Sequence, residues 1–433
     1  MTIKNCFKNF TILTLILFLS INFSLAQTNK LPVPRQEKLL NDLKVLTFSE
    51  PNADKVTLKL RIHSGSAFDR QDREGTMALL GDVLFPNEEA KDFFREDLGG
   101  SIEIESTYDY LQITAASSSD QFLTMLETVA NAVSNPQIDK EITAKIVAAR
   151  LEKVRELEKN PSYAADLAAA KRLYGDFPYG RAQMGTSESL QKIDFADLIF
   201  ARDRFLSPDN ATLIVSGNVK PDLVNRAVRR YFGAWEKSDK KVPATFAQPE
   251  TPDSKEFSIE MPNIENNLRR YAMMTVGRSD KNFYATKILT EIRRKQFCYN
   301  DESKPGNSSF EPHLLRGTYI ISSNFSSNEL PVTARNPCAL LLQKDGKIVY
   351  PPITQSDFDS AKSKVIADLN QKMLNTNGTA DLWLDVDTYK LGSVKDELQR
   401  ANNVTLADVQ RVAESLQKQP LVTVIVKKSE ETK

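Results

Sequence analysis

Val56, Leu58, Leu60 and Ile62 alternate with Thr57, Lys59, Arg61 and His63. That period of two predicts a half-buried strand with one polar face, ended by Gly65 and a charged stretch. From Gly75 to Phe85, Met77, Leu79, Leu80, Val83 and Leu84 predict a buried helix stopped by Pro86. Leu98-Gly99-Gly100 reads as a turn, and Ser101 to Ala116 carries strand-type alternation. Phe122, Leu126, Val129 and Val133 fall on one helical stripe closed by Pro136. Long charged helices are predicted from about Lys140 to Lys159, stopped by Asn160-Pro161, from about Ala164 to Tyr174, and from Leu190 to Phe205. Thr212 to Val215 is a short apolar strand ending at Gly217, and Val224 to Trp235 closes this half as a helix.

Residues 236–254 turn charged and then proline-rich with no apolar period, which predicts a linker. Beyond it the pattern predicts strands at Phe257–Glu260, Arg270–Val276 and Gly317–Phe325. Helices are predicted at Phe283–Ile292, Asp357–Leu374 and Leu406–Leu416, with a last strand from Leu421 to Val426. The two halves share an order of elements. DLIFARDRFLSPDNATLIV (Asp197 to Val215) and DVQRVAESLQKQPLVTVIV (Asp408 to Val426) each give an amphipathic helix, a proline-containing turn and a β-branched strand. This reads as an internal duplication of α/β (α+β) units of roughly 200 residues, spanning 33–235 and 255–428.

The 433 residues are 41% apolar and 26% charged, ordinary for a folded chain with a sizeable core. Lysine plus arginine equals aspartate plus glutamate at 57 each, so no electrostatic case exists for nucleic acid or an anionic membrane. The N-terminus changes the picture. Lys4 and Lys8 precede the apolar run Phe10–Leu19, and Ser24-Leu25-Ala26 places small residues before a cut. Residues 1–26 are therefore expected to be a signal peptide cleaved after Ala26, leaving a protein without a membrane segment in an exported compartment, most simply a periplasm. In an oxidising compartment Cys298 and Cys338 either pair, for about 3–4 kcal/mol of stabilisation, or remain as two free buried thiols.

Three local signatures now matter: Ser64-Gly65-Ser66 with Glu74-Gly75 and the helix to Phe85; Leu98-Gly99-Gly100-Ser101-Ile102-Glu103-Ile104 running to Thr107-Tyr108-Asp109-Tyr110; and Tyr174-Gly175-Asp176-Phe177-Pro178-Tyr179-Gly180 with Gly185-Thr186-Ser187-Glu188-Ser189-Leu190, Pro208-Asp209-Asn210-Ala211-Thr212 and Gly217-Asn218. Together with the duplicated plan they resemble the insulinase/pitrilysin zinc metallopeptidase family, which includes mitochondrial processing peptidase. The resemblance implies two homologous metallopeptidase-like domains, each a mixed sheet with helices mainly on one face. It also implies a chamber in which an extended peptide adds to a sheet edge.

Active members of that family carry H-x-x-E-H on the helix that follows the position of Gly75. Residues i and i+4 share a helix face, so two imidazoles hold one zinc, and the glutamate between them activates its water. Here the three positions are Ala78, Gly81 and Asp82. The distal glutamate falls near Glu152, Lys153 and Glu156, which read as a solvated helix face. The chain has two histidines, His63 and His313, and neither stands at ligand spacing. No metal or other cofactor is expected in this chain, with zinc only in a catalytic partner. The family can also lend a partner an arginine and a tyrosine seven residues apart; the nearest match is Arg293 with Tyr299, six apart. The alternative is an ordinary basic helix end formed by Arg293, Arg294 and Lys295.

The resemblance with a degenerate motif implies an exported non-catalytic subunit of a peptidase heterodimer, partnered by a catalytic insulinase-type subunit and by extended peptides. A stand-alone peptide-binding or scaffold pseudopeptidase is the alternative, and an active metalloendopeptidase with an atypical site a third. No P-loop, dinucleotide fingerprint or nucleophile elbow points elsewhere.

Overall fold

A computed structural model describes residues 31–239, 246, 249–298, 307–325, 341–342 and 348–429. The expected signal peptide, Tyr299 and Cys338 lie outside the described residues. The first half builds a six-stranded sheet from β1 (Arg35–Lys38), β2 (Lys44–Ser49), β3 (Lys55–Ile62), β4 (Ser101–Ser106), β5 (Leu111–Ser118) and β6 (Ala211–Gly217), in the order β1-β2-β6-β3-β5-β4. The second half builds a five-stranded sheet from β7 (Phe257–Met261), β8 (Asn267–Val276), β9 (Asn307–Glu311), β10 (Arg316–Phe325) and β13 (Val422–Lys428), in the order β7-β13-β8-β10-β9. A small ribbon pairs β11 (Leu341–Leu342) with β12 (Ile348–Val349).

Setting β1 aside, the two orders superpose strand for strand. In each, the first strand pairs parallel with the last (β2 with β6, β7 with β13), and every other neighbour is antiparallel. The duplication read from the closing helix–strand units is thus a duplication of sheet topology: two mixed α/β domains of one fold.

Helices α1 (Thr76–Leu84), α2 (Glu88–Asp92), α3 (Phe122–Ser134), α4 (Lys140–Glu158), α5 (Pro161–Tyr174), α6 (Ser187–Lys192), α7 (Phe195–Phe205) and α8 (Pro221–Phe232) belong to the first half. Those of the second are α9 (Phe283–Cys298), α10 (Gln355–Leu374), α11 (Thr376–Thr388), α12 (Val394–Asn402) and α13 (Leu406–Gln417). Among the described residues no helix is long and apolar enough to cross a membrane. Several boundaries differ from the sequence reading, two of them with a clear local cause. Asn160-Pro161 ends α4 but also starts α5: the Asn160 carboxamide accepts the N–H groups of Ser162 and Tyr163 at 2.9 and 3.2 Å, and Pro161 stands at the first helical position. The stretch Leu190–Phe205 is broken at Ile193, where Asp194 caps α7 with a reciprocal bond to Asp197.

Each sheet packs its own helices on one face. The first core unites Leu58, Leu60, Leu80, Leu126, Val129 and Leu213, the second Tyr271, Ile288, Ile321, Val409 and Leu416. The other face of each sheet is covered by a helix from the opposite half. Helix α5 lays Ala165, Ala169 and Leu173 against Leu268, Ala272, Val422 and Val424. Helix α11 lays Ala380 and Leu384 against Leu46, Phe48 and Ile214. Both crossing helices follow the longest helix of their half, and both start on an asparagine cap, Asn160 or Asn375.

The polar face expected on β3 is therefore not solvated. Lys59 and Arg61 are buried beneath α11, Lys59 at 2.6 Å from Asp381 and Arg61 at 2.9 Å from Asp385. The alternation on β3 holds, but the partner of its polar side comes from more than 300 residues away.

Candidate functional site

Helix α1 carries the three motif positions, and its start is fixed locally. Gly75 lies at φ 96°, a conformation that favours glycine, and a Cβ there would come within 2.9 Å of the Met184 carbonyl. The buried Asp69 carboxylate accepts the Gly75 and Met77 N–H groups at 2.8 and 2.9 Å, satisfying donors that a helix leaves unpaired at its N-terminus.

Ala78 and Gly81 are buried and offer no ligating atom. Asp82 is engaged. Arg150, on α4, places its guanidinium against the Asp82 carboxylate, Nη2 at 2.6 Å and Nε at 2.8 Å from the same oxygen. Nη2 also donates to the Ala78 carbonyl at 3.3 Å, and Nη1 approaches the Met184 sulfur at 3.6 Å. One cationic side chain thus touches both residues that stand at the histidine positions. At Gly81 a Cβ would lie 3.0 Å from both Ile104 and Leu111, so the space above the general-base position is filled by apolar side chains. Glu152, Lys153 and Glu156 are exposed on α4. A zinc ion does not fit this donor set: two positions have no donor, and the third is neutralised by a guanidinium that would repel the metal. Among the described residues no cluster of three metal-ligating side chains occurs.

Arg150 was missed in the sequence although it left a signal. It stands on the buried stripe of α4, between Ile146 and Val154 at four-residue spacing, where an uncompensated cation would be costly.

The signature residues converge on the contact between the halves. Asp109 accepts the Tyr179 hydroxyl at 2.8 Å and the Leu314 backbone N–H at 3.2 Å. The Tyr108 and Tyr179 rings lie 5.2 and 4.5 Å from the His313 ring, and the Tyr174 hydroxyl bonds Thr318 at 2.9 Å. His313 is a packing residue at this seam, its Nδ1 3.7 Å from Asp109.

His63 is not an exposed strand residue, as its sequence position suggested. Its two ring nitrogens meet the Thr388 and Thr212 hydroxyls, each at 3.0 Å, between β3, β6 and α11. Burial holds its pKa well below the ordinary 6.5, against the opposing pull of Asp387 and with a further push from Arg61. The unfolded chain takes up a proton near 6.5 while the folded chain leaves the ring neutral. The stabilisation is therefore complete above that pH and declines as pH falls below it. His63→Gln, which cannot titrate, should lose less stability than the parent between pH 6.5 and about 4.5 in urea melts; equal losses would remove His63 as the titrating group.

Arg293 is buried, with its guanidinium on the Pro351 carbonyl at 2.8 Å, bonded to Gln296 and stacked 4.6 Å from the Tyr350 ring centre. Helix α9 continues through Arg293, Arg294 and Lys295 to Cys298.

A further network ties β3 to the second half. Asp385 lies between Arg61 at 2.9 Å and Arg278 at 3.6 Å; Arg278 is 2.7 Å from the buried Glu397, which also takes Arg400 at 2.7 Å and the Tyr284 hydroxyl at 2.9 Å.

Comparison with known proteins gives two adjoining family matches. The model described as Insulinase (Peptidase family M16) covers residues 44–187, and that described as Peptidase M16 inactive domain covers residues 192–365. An uncharacterized zinc protease of Rickettsia felis is 24% identical over 208 residues, 47% of this chain and 50% of that protein. Cytochrome b-c1 complex subunit 1, mitochondrial, of Saccharomyces cerevisiae is 28% identical over 212 residues, 47% of this chain and 45% of that protein. The matched region is about half the length of these relatives. Among solved structures, a protease from Helicobacter pylori superposes with a TM-score of 0.79 at 16% identity, covering 92% of this chain and all of that one. A peptidase M16 inactive domain from Pseudomonas fluorescens superposes with 0.75 at 19% identity, covering 92% and 99%. At these identities the superpositions speak to fold.

Proposed function

This chain belongs to the insulinase family, peptidase family M16, and from that premise we propose that it is an exported, non-catalytic subunit that pairs with a zinc-bearing homologue and supplies half of a peptide-binding chamber. The observation that carries the reading is Arg150. A guanidinium spans the two histidine positions of the family motif, bonded to the Ala78 carbonyl and paired with Asp82, while Ile104 and Leu111 close over Gly81. The family's fold is kept and its metal-binding chemistry is replaced by a structural ion pair.

Peptide binding is supported by the sheet edge. Strand β4 pairs only with β5 among the described residues and alternates half-buried Ile102 and Ile104 with exposed Ser101, Glu103 and Glu105. Such an edge offers main-chain groups to an added strand. The expected signal peptide agrees with an oxidising, exported site of action.

Co-expression with a homologue bearing an intact H-x-x-E-H should yield a stable heterodimer by size-exclusion chromatography. One zinc should be found per heterodimer and none bound by this chain alone. A chain that stays monomeric beside that homologue would refute the subunit role, and peptide binding by that monomer would favour the stand-alone binder.

A further inference from the structure

A cavity of about 440 Å³ lies where Tyr110 of the first half meets helices α9, α10 and α11 of the second. Its volume falls within the range of small-ligand pockets. Phe283, Phe310, Leu369, Leu382 and Tyr389 supply apolar wall, and charged groups converge among them.

The charges do not balance. Each acidic group of the lining already has a cation at hand: Glu291 takes Arg294 and Lys364, both at 2.7 Å; Asp368 shares Lys364 at 3.8 Å; Asp385 holds Arg61 and Arg278. Lys287, one turn into α9, and Lys372, in the last turn of α10, line the same cavity without a carboxylate partner among the described residues. The Lys287 ammonium lies over the Phe283 ring, 5.3 Å from its centre. Burial, with repulsion from Lys372 and Arg278, pushes the Lys287 pKa down to about 8 against the opposing pull of Asp385 and Glu397. Two lysines facing a space of mixed polar and apolar wall, Lys287 largely desolvated and Lys372 exposed at its rim, form a site that a ligand carboxylate would complete.

We infer that this cavity binds a carboxylate carried on an apolar group, and that its ligand is the C-terminal end of a peptide with an apolar last side chain. The peptide assignment rests on the chamber reading above. It is favoured by Tyr110, which lies in the turn leaving the edge strand β4 and also lines the cavity. The carboxylate assignment stands on Lys287 and Lys372 alone.

Three probes separate the two: an N-acetylated pentapeptide ending in phenylalanine as the free acid, the same peptide amidated, and 3-phenylpropanoate. Each is titrated calorimetrically into the full chain and into Lys287→Met and Lys372→Met, whose melts confirm folding. The free-acid peptide should bind about ten- to a hundredfold more tightly than the amide. Lys287→Met should remove most of that difference, Lys372→Met part of it. Equal binding of acid and amide, unaffected by Lys287→Met, overturns the cavity assignment while leaving peptide binding intact. Lysine-dependent binding of 3-phenylpropanoate with no binding of either peptide overturns the peptide assignment and identifies a free acid as the ligand. Failure of all three probes overturns the site.

Discussion

A chain carrying Ala78→His, Gly81→Glu and Asp82→His together should bind no stoichiometric zinc and should unfold at clearly lower denaturant than its parent. Restoring the family's letters does not restore its site, because the surroundings have changed with them. Arg150 is only 9% exposed and has its carboxylate partner in Asp82. Removing that partner leaves a nearly buried guanidinium unpaired, which costs about 3–5 kcal/mol in a fully buried pair. With the Asp82 side chain 31% exposed, solvent screening brings this to about 2–3 kcal/mol. A glutamate at 81 must also push Ile104 and Leu111 aside, an overpacking cost of about 1–3 kcal/mol. The same guanidinium would repel the metal. Metal analysis of the purified variant and its urea midpoint test both halves of the expectation. One zinc per chain at undiminished stability would show that Arg150 yields readily and that the ion pair is not what keeps metal out.

The second large effect is expected at Glu397. Its carboxylate is 1% exposed and gathers Arg278, Arg400 and the Tyr284 hydroxyl. Glu397→Ala strands Arg278, itself buried, with the more distant Asp385 as its remaining counter-charge. A loss of about 3–5 kcal/mol in urea unfolding is expected. Replacing the pair by apolar residues, Arg278→Met with Glu397→Leu, should recover at least half of it, since what hurts is the orphaned charge rather than the missing attraction. A Glu397→Ala loss below about 1 kcal/mol would mean that Arg278 finds water or another partner.

How much of this was legible in the sequence depends on how far apart the interacting residues stand. Helix α1 and its substitutions at 78, 81 and 82 follow from local spacing and could be read directly. The alternation on β3 was equally local. What covers its polar side was not, because the covering helix begins Thr376-Asn377-Gly378-Thr379, residues of low helix propensity, and its apolar stripe is short. With α11 unread, Lys59, Arg61 and His63 could only look solvated. Arg150 lies between these cases. Its place on a buried stripe is visible, but its partner Asp82 stands 68 residues earlier, where no local pattern links the two.

The exchange of α5 and α11 turns the duplicated chain into a clasp. Each half holds the other by a helix inserted across its far sheet face, so the halves cannot swing open as shells on a hinge without first drawing both helices off. Under the subunit role proposed above, an opening that admits a peptide falls at the boundary with the partner rather than between the two halves of this chain.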